Sequence, residues 1–342
     1  MSRRACMRPT GVSGEMSTPS TDWRETPSPD EPERHARQTE LITAIQARVS
    51  AKAGAGRAFH RKGLLALEAD FVVRDQLPPH ARHGLFRAPA SYPCRIRLSN
   101  GATKAQSDRA SDIRGFALNV AVPEAPGALG GPTTHQDFLL INRPAFGFPT
   151  SVEFVAVVDA LSRGPLALVW HFISTYGLFA GLGRLRALQA SASAPFDGFA
   201  STPFYSAAPL ACGPYAVRVR ILPAAADPST HLDDQAADVR ARLAVGSLRF
   251  PFQVQFFVDE RVTPIEDATA AWSEADAPWE TVADVVVDGL QPAGADAEAL
   301  AAAVEAATFD PWRALVEHRP LGEVMRSRKV AYFASAKARG AG

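Results

Sequence analysis

The segment Arg319–Gly340, RPLGEVMRSRKVAYFASAKARG, predicts one helix that carries a tyrosine between arginines. A proline near its start, a glutamate one turn later and a glycine at its end are helix boundary signals, and they place the helix over Pro320–Ala338. Arg328, Tyr332 and Arg339 lie within about 40° of one another at about 100° per residue. One face of the predicted helix therefore presents a phenol flanked by two guanidinium groups.

This face has the elements of an iron site. Arg328 precedes Tyr332 by one turn, and a neighbouring guanidinium lowers the pKa of a phenol. A phenolate is a suitable ligand for ferric iron, and tyrosine is a known axial ligand of haem. Arg339 lies about 16 Å from Arg328 along the helix axis and can pair with a carboxylate such as a haem propionate. An ordinary helix with a tyrosine packed on an arginine has the same spacing, so spacing alone leaves both interpretations open.

Composition narrows the class of protein. The 342 residues allow two domains, or one large domain with a tail. Lys and Arg number 36 and Asp and Glu number 36, and a neutral chain is a poor candidate for nonspecific binding to nucleic acid or anionic membranes. Cys6, Cys94 and Cys212 are odd in number and far apart, which indicates neither a disulfide framework nor a cysteine zinc site.

Targeting signals are weak. Arg3-Arg4 is not followed by the apolar segment of a signal peptide, so we expect a cytoplasmic protein. Residues 164–183 contain no charge, but a proline, a histidine and four glycines interrupt them. We therefore expect a buried helix near Leu166–Ile173, ended by Gly177, and no stable membrane span.

The chain divides into a polar start and a mixed body. Residues 1–40 are rich in Ser, Thr, Pro, Glu and Arg and predict a disordered tail, with a helix beginning near Glu40. Residues 41–342 alternate strand and helix patterns, and Gln189–Gly213 resembles an extended arm. The order of elements favours an α+β fold around a closed or nearly closed antiparallel sheet. The strands are expected at Leu64–Val73, Cys94–Ser99, Phe116–Val122, Phe138–Ile141, Ala216–Leu222, Gln253–Val258 and Trp279–Val287.

Six segments together resemble the haem catalases, and one of them, Phe252–Phe257, resembles a core strand of the family. Arg57–Gly63 (RAFHRKG) is similar to the family's Arg-x-x-His-x-x-Gly segment, and Arg97–Asn100 (RLSN) to its Arg-Phe-Ser-Thr strand. Asp112–Leu118 (DIRGFAL) resembles Asp-Pro-Arg-Gly-Phe-Ala, and Asp137–Phe146 resembles the approach to Asn-Asn-x-Pro-x-Phe-Phe. Arg328–Arg339 matches the proximal motif. In this order, they identify residues 41–342 as a short member of the haem catalase superfamily, near the catalase-like peroxidases and related to allene oxide synthase.

The resemblance implies a fold and a set of roles. The fold would be an antiparallel β-barrel of the catalase core type, with surrounding helices and a C-terminal helix that carries the proximal ligand of haem b. Tyr332 would ligate the iron and Arg328 would stabilise its phenolate. His60 would be the distal acid and base, and Ser99 would orient its ring. The residues implied to pair with the haem propionates are Arg57, Arg97 and Arg339.

The distal side departs from the family pattern. The first asparagine of Asn-Asn-x-Pro is Ile141 here, while Asn142 matches the second and is the candidate distal amide. Phe59 replaces a small aliphatic residue before the distal histidine. The Phe-Phe pair is Phe146-Gly147, which leaves Phe146 as the aromatic residue against the cofactor.

The resemblance therefore implies a haem peroxidase that reduces hydrogen peroxide or organic hydroperoxides through an oxyferryl intermediate, with weak or moderate catalase activity. Its electron donor is not specified by the sequence, no nucleic-acid partner is expected, and relatives of this size are expected as monomers or homodimers. Two alternatives stay open. One is a hydroperoxide isomerase or dehydratase of the allene oxide synthase type, and the other is a non-catalytic barrel that binds haem or lipid.

Overall fold

The computed structural model describes residues 18–54, 56–103, 105–192, 195–231, 233–338 and 340. Nine antiparallel strands and seven α-helices make up this part of the chain. The strands are β1 (Gly63–Val73), β2 (Ser91–Asn100), β3 (Arg114–Pro126), β4 (Pro132–Ile141), β5 (Phe204–Tyr205), β6 (Leu210–Cys212), β7 (Tyr215–Ile221), β8 (Leu248–Phe256) and β9 (Trp279–Val287). The helices are α1 (Glu31–Ala53), α2 (Ser151–Arg163), α3 (Pro165–Tyr176), α4 (Leu178–Ala192), α5 (Gln235–Val245), α6 (Ala295–Ala306) and α7 (Glu323–Ala338).

Eight of the strands close into a barrel. β1 to β4 form a meander, β7 to β9 form a second set, and β1 pairs with β9. The two-residue strand β5 pairs with β4 at one edge and with β7 at the other, which completes the circuit. β6 lies outside the circuit, on β7. The predicted α+β fold with an antiparallel barrel is confirmed.

Alternation along the strands separates a core inside the barrel from a helix-covered outer face. Phe71, Phe138 and Phe252 meet inside the barrel with ring centroids 4.9–6.0 Å apart. On the outer face, small and apolar side chains of β1, β3 and β4 pack against Leu300 and Val304 of α6. Helices are thus placed over the outer surface of β1–β4, and the candidate site residues lie on the same surface.

One row of paired residues crosses the barrel at this surface. Gly63 of β1 pairs with Ser99 of β2, and Ser99 pairs with Gly115 of β3. Gly115 in turn pairs with Ile141 of β4, and Ile141 with Tyr205 of β5. The ends of five strands therefore lie at one level, which we call the rim row. Because side chains alternate with a period of two, this register decides which of them face outward there.

The start of the described chain is ordered, which corrects the predicted tail. The Trp23 indole donates to the Pro214 carbonyl oxygen over 2.9 Å, and the Ser20 amide donates to the Phe257 carbonyl oxygen over 2.8 Å. α1 begins at Glu31 and not near Glu40. A tail over residues 1–40 is therefore wrong for residues 18–40, while residues 1–17 lie outside the described part.

Ion pairs account for that order. Glu25 and Glu31 both bind the Arg326 guanidinium of α7 at 2.7 Å, and Glu266 binds it at 3.0 Å. Burial opposes the charge on Arg326, but the hydrogen bonds that it donates to these three carboxylates prevail and raise its pKa. We call these four residues the α7 clamp. The clamp sits at the first turn of α7, which begins at Glu323 and not at Pro320.

The middle of the chain differs from the sequence-based expectation in two places. α3 forms where a helix was predicted, but it is not buried, because only Phe172 among its residues is fully enclosed. Gln189–Gly213 is not an extended arm, since it contains the end of α4 and the strands β5 and β6. Over the described residues, no helix is long and apolar enough to cross a membrane.

His318 gives a test of the fold in acid. Its Nε2 accepts the Leu85 amide proton over 2.8 Å, and its Nδ1 lies 3.1 Å from the Ala211 carbonyl oxygen. Burial lowers the pKa of His318 to about 4. The unfolded chain binds a proton below about pH 6.5 while the folded protein does not, so the free energy of unfolding falls as pH drops from about 6.5 towards 4.

We expect His318→Gln, which keeps one acceptor and one donor, to remove about 2 kcal/mol of the loss between pH 6.5 and 5. Urea unfolding of wild type and variant at both pH values measures this difference. His231→Gln, at an exposed histidine, is the control and should retain the wild-type loss. An equal loss in wild type and His318→Gln would contradict the assignment.

Candidate active site

His60 stands beside the rim row, in the loop between α1 and β1. Its Nδ1 lies 3.1 Å from the Ser99 hydroxyl of β2, and its backbone amide donates to the Gly101 carbonyl oxygen over 3.1 Å. Its φ of 50° is in the left-handed region, which is uncommon for a residue with a side chain. The surrounding contacts hold the backbone in that conformation and direct the ring towards β3.

Gly115 makes room for the His60 ring. A Cβ at this position would lie 2.6 Å from His60 Nδ1 and 2.8 Å from the Ser99 hydroxyl oxygen. No real side chain tolerates contacts that short, so the ring can approach β3 only because residue 115 is glycine. This close approach places His60 and Ser99 at a fixed point on the outer surface of the barrel.

His60 is a neutral base at physiological pH. Burial, and to a lesser extent the positive charges of Arg97, Arg328 and Arg57 in that order, lower its pKa to about 3. The residue nevertheless keeps some accessible surface.

Arg57 and Arg97 converge on one carboxylate. Arg97 donates from Nε to Glu305 Oε1 over 2.9 Å and from Nη2 to the His60 carbonyl oxygen over 2.9 Å. Arg57 Nε lies 3.6 Å from the other oxygen of Glu305. The Arg97 side chain is only 5% exposed. Two guanidinium groups beside His60 are therefore arranged around a single carboxylate group.

The predicted pair on α7 is formed. The Arg328 guanidinium donates from Nη2 to the Tyr332 hydroxyl oxygen over 2.6 Å, and its carbon lies 4.9 Å from the centre of the tyrosine ring. α7 is held against α1, where Gln38 accepts from the Ser327 hydroxyl over 2.7 Å. The phenol is thus paired with a cation on a helix fixed from its opposite side.

The α7 pair and the histidine belong to one site. Arg328 is close enough to His60 to lower its pKa, together with Arg57 and Arg97. In addition, Ala331 of α7 packs with Ala58, two residues before His60. Arg339, the third arginine predicted on this face, lies outside the described residues.

Asn142 follows β4 at the same end of the barrel. Its Oδ1 accepts the Arg114 amide proton over 2.8 Å, which places it one residue from Gly115. Its Nδ2 is buried and has no hydrogen-bond partner among the described residues. An unpaired buried donor costs free energy, so this amide is suited to bind an oxygen atom of a ligand.

Phe146 lies in an aromatic cluster rather than alone. Its ring centroid is 5.1 Å from that of Phe154 on α2, and Phe154 is 5.5 Å from Phe59, which precedes His60. Gly147 has open space where a Cβ would stand. The cluster gives the site an apolar side between the barrel and α2, and the neighbouring Gly147 is exposed.

Two residues at the site were not predicted from the sequence. Glu305 is an ordinary glutamate in the last turn of α6, and nothing in its neighbours marks it as a partner of two arginines. Gly115 lies within Asp112–Leu118, where a glycine between an arginine and a phenylalanine interrupts a predicted strand. A glycine inside a strand is a sequence signal that another group approaches the backbone closely. No group of three or more His, Cys, Asp or Glu side chains suited to a metal ion occurs in the described part of the chain.

The chain is similar in structure to several solved catalases. The chain matches catalase A from Saccharomyces cerevisiae with a TM-score of 0.64 and 17% sequence identity, over 86% of this chain and 62% of that one. A fungal catalase matches with a TM-score of 0.63 and 16% identity, over 86% and 60%. A bacterial catalase matches with a TM-score of 0.62 and 14% identity, over 100% and 67%. The chain therefore has a catalase-like fold.

These matches concern the fold. No family model and no curated protein sequence matches the chain. The chain spans about 60% of the length of the fungal and yeast catalases.

Glu305 offers a test of the arginine pair. We expect Glu305→Gln to lower the free energy of unfolding by about 1 kcal/mol, because the enclosed Arg97 guanidinium loses its counter-charge. Urea denaturation measures the change. Glu298→Gln, at an exposed position of the same helix, should change stability by less than about 0.5 kcal/mol. Equal effects in the two variants would show that Glu305 does not stabilise the pair.

Proposed function

We propose that the protein is a haem-dependent peroxidase that reduces hydrogen peroxide or organic hydroperoxides and has weak or moderate catalase activity. The observation that carries the proposal is the pairing of Arg328 with Tyr332 within electrostatic range of the neutral His60–Ser99 pair. A carrier protein needs no base at that place. The catalase-like fold supports the proposal.

The residues at the site fit haem b. A phenol that accepts a hydrogen bond from a guanidinium is suited to ligate ferric iron as the phenolate. Arg57 and Arg97 already hold one carboxylate, that of Glu305, so the pair has the geometry to bind a carboxylate such as a propionate. Haem held by these residues would supply the redox chemistry that cleaves the peroxide bond.

The chain itself supplies proton transfer. Ser99 occupies Nδ1 of His60, which leaves Nε2 to take the proton from the inner oxygen of a hydroperoxide. The low pKa of His60 keeps that nitrogen unprotonated at neutral pH. The same nitrogen then returns the proton to the outer oxygen, which leaves as water or an alcohol. His60 thus acts as base and then as acid without net change.

The distal amide favours peroxidase over catalase activity. Dismutation requires a second peroxide to be positioned as reductant, and an amide beside the histidine assists that positioning. Only one donor, Nδ2 of Asn142, is available, since its oxygen is bound to the Arg114 backbone. Gly147 is exposed and has no side chain, so it does not block the approach of a larger hydroperoxide to the aromatic cluster.

A Tyr332→Phe variant tests the ligand assignment. We expect protein purified with added hemin to show the absorption bands of a five-coordinate ferric tyrosinate, and the variant to lose them because phenylalanine has no ligating oxygen. Tyr215→Phe, whose ring packs on His80 and Phe256, is the control and should keep the spectrum. An unchanged spectrum in Tyr332→Phe would refute the assignment.

Replacing the proposed base separates the possible functions. We expect His60→Ala to lower peroxide turnover by about 10²–10⁴-fold, and Ser99→Ala to lower it less, since the base remains but its ring is freer. Stopped-flow oxidation of a chromogenic donor measures both. Unchanged turnover in His60→Ala would contradict the acid–base role. Rearranged products formed from a fatty-acid hydroperoxide without a donor would instead indicate an isomerase or dehydratase, and haem binding without any turnover would indicate a carrier.

A further inference from the structure

Helices α3 and α4 expose large apolar side chains. Leu166 is 86% exposed and Trp170 is 70% exposed on α3, while Leu178 is 52% and Phe179 is 89% exposed at the start of α4. We call these four residues the hairpin patch. Single exposed apolar residues need no explanation, but four large ones within fourteen positions of one helical hairpin do.

The hairpin is well packed on its other side, so the patch is not a sign of loose structure. Phe172 and Leu185 are buried with Val157 of α2. A Cβ at Gly181 would lie 2.5 Å from the Phe172 carbonyl oxygen, which shows that α3 and α4 approach closely at this glycine. The side of the hairpin that packs on α2 is therefore fixed, and the hairpin patch on the other side has a defined position.

The charged residues of the hairpin are all positive. Residues 164–192 contain no Asp or Glu, whereas Arg184 and Arg186 both lie on α4. Arg184 stacks on the Tyr176 ring at 4.1 Å, and its guanidinium is 3.7 Å from Glu153 of α2. Arg186 is exposed. Although the whole chain is neutral, this surface is apolar and cationic.

We propose that the hairpin patch docks the protein on the surface of a membrane that contains anionic phospholipid. An amphipathic helix with tryptophan and phenylalanine on one side and arginine beside them is suited to lie in the interface between headgroups and acyl chains. α3 and α4 have 12 and 15 residues, so they lie on the bilayer and do not cross it.

The size of the patch favours a bilayer over a second copy of the chain. Four side chains of these types present on the order of 500 Å² of apolar surface. A stable protein interface needs about 800 Å² from each partner, with polar groups on the rim to match. Two copies that met at this patch would also bring the arginines of α4 close to each other. Lipid phosphates compensate that charge and impose no shape on the contact.

Docking would also place the candidate active site near the membrane, the source of its substrate. This step rests on the proposed function. α2 contacts the hairpin through Val157, and its Phe154 ring is 5.5 Å from Phe59, next to His60. One helix therefore separates the docked surface from the site. A hydroperoxide of an acyl chain, which partitions into the bilayer, is the substrate class that this arrangement serves.

Vesicle sedimentation tests the docking. We expect the protein to co-sediment with vesicles of equal parts phosphatidylcholine and phosphatidylglycerol, and Trp170→Ala/Phe179→Ala to bind at least about tenfold more weakly. Val245→Ala/Leu290→Ala is the matched control and should bind like wild type, because Val245 and Leu290 are 92% and 91% exposed outside the hairpin. Arg186→Glu should weaken binding to these vesicles but not to vesicles of phosphatidylcholine alone.

Three results would overturn the proposal. They are absence of binding to the mixed vesicles, equal binding by wild type and the Trp170→Ala/Phe179→Ala variant, and a dimer in light scattering that this variant dissociates. The last result would assign the patch to a second copy. None of these measurements requires haem or turnover, so a negative result leaves the proposed peroxidase function standing, and a failure of that function leaves the docking intact.

Discussion

The rim row is the constraint on which the candidate site depends. Hydrogen-bonded pairs from Gly63 through Ser99, Gly115 and Ile141 to Tyr205 align the ends of five strands. A slip of one residue in any of these pairs would turn Ser99 into the barrel or place a side chain where the His60 ring lies. The chemistry therefore depends on backbone hydrogen bonds that have no chemical role themselves.

Charge as well as apolar contact positions α7. The α7 clamp gathers three carboxylates around one guanidinium, and Glu305 gathers two guanidinium groups around one carboxylate. Partly buried ions are costly to dehydrate, and each of these clusters offsets that cost with several short hydrogen bonds. Removal of one member leaves the others dehydrated without compensation. Both clusters consequently fix geometry more firmly than isolated surface ion pairs would.

The parts of the fold that depend on local pattern could be predicted from the sequence. β9 coincides with the alternating segment Trp279–Val287, and the pair Arg328–Tyr332 follows from helical spacing. The order of residues 18–40 could not be predicted, because Glu25 and Glu31 are held by Arg326, about three hundred positions away. For the same reason, the role of Glu305 could not be predicted, because its partners Arg57 and Arg97 lie more than two hundred positions away. The exposure of α3 could not be predicted either. An apolar segment has the same composition whether it packs inside the protein or lies on its surface.

Closure of the barrel through β5 and through the pairing of β1 with β9 has a consequence for how the protein is made. Asp70 of β1 pairs with Val286 of β9, so the first strand keeps an open edge until most of the chain has left the ribosome. Contacts so distant along the chain slow folding, because the loop must close before the pairing stabilises it. In the sequence, His60 precedes the first strand and Tyr332 follows the last strand. Tyr332 follows β9, so every strand of the barrel has been synthesised before a nascent chain contains both groups.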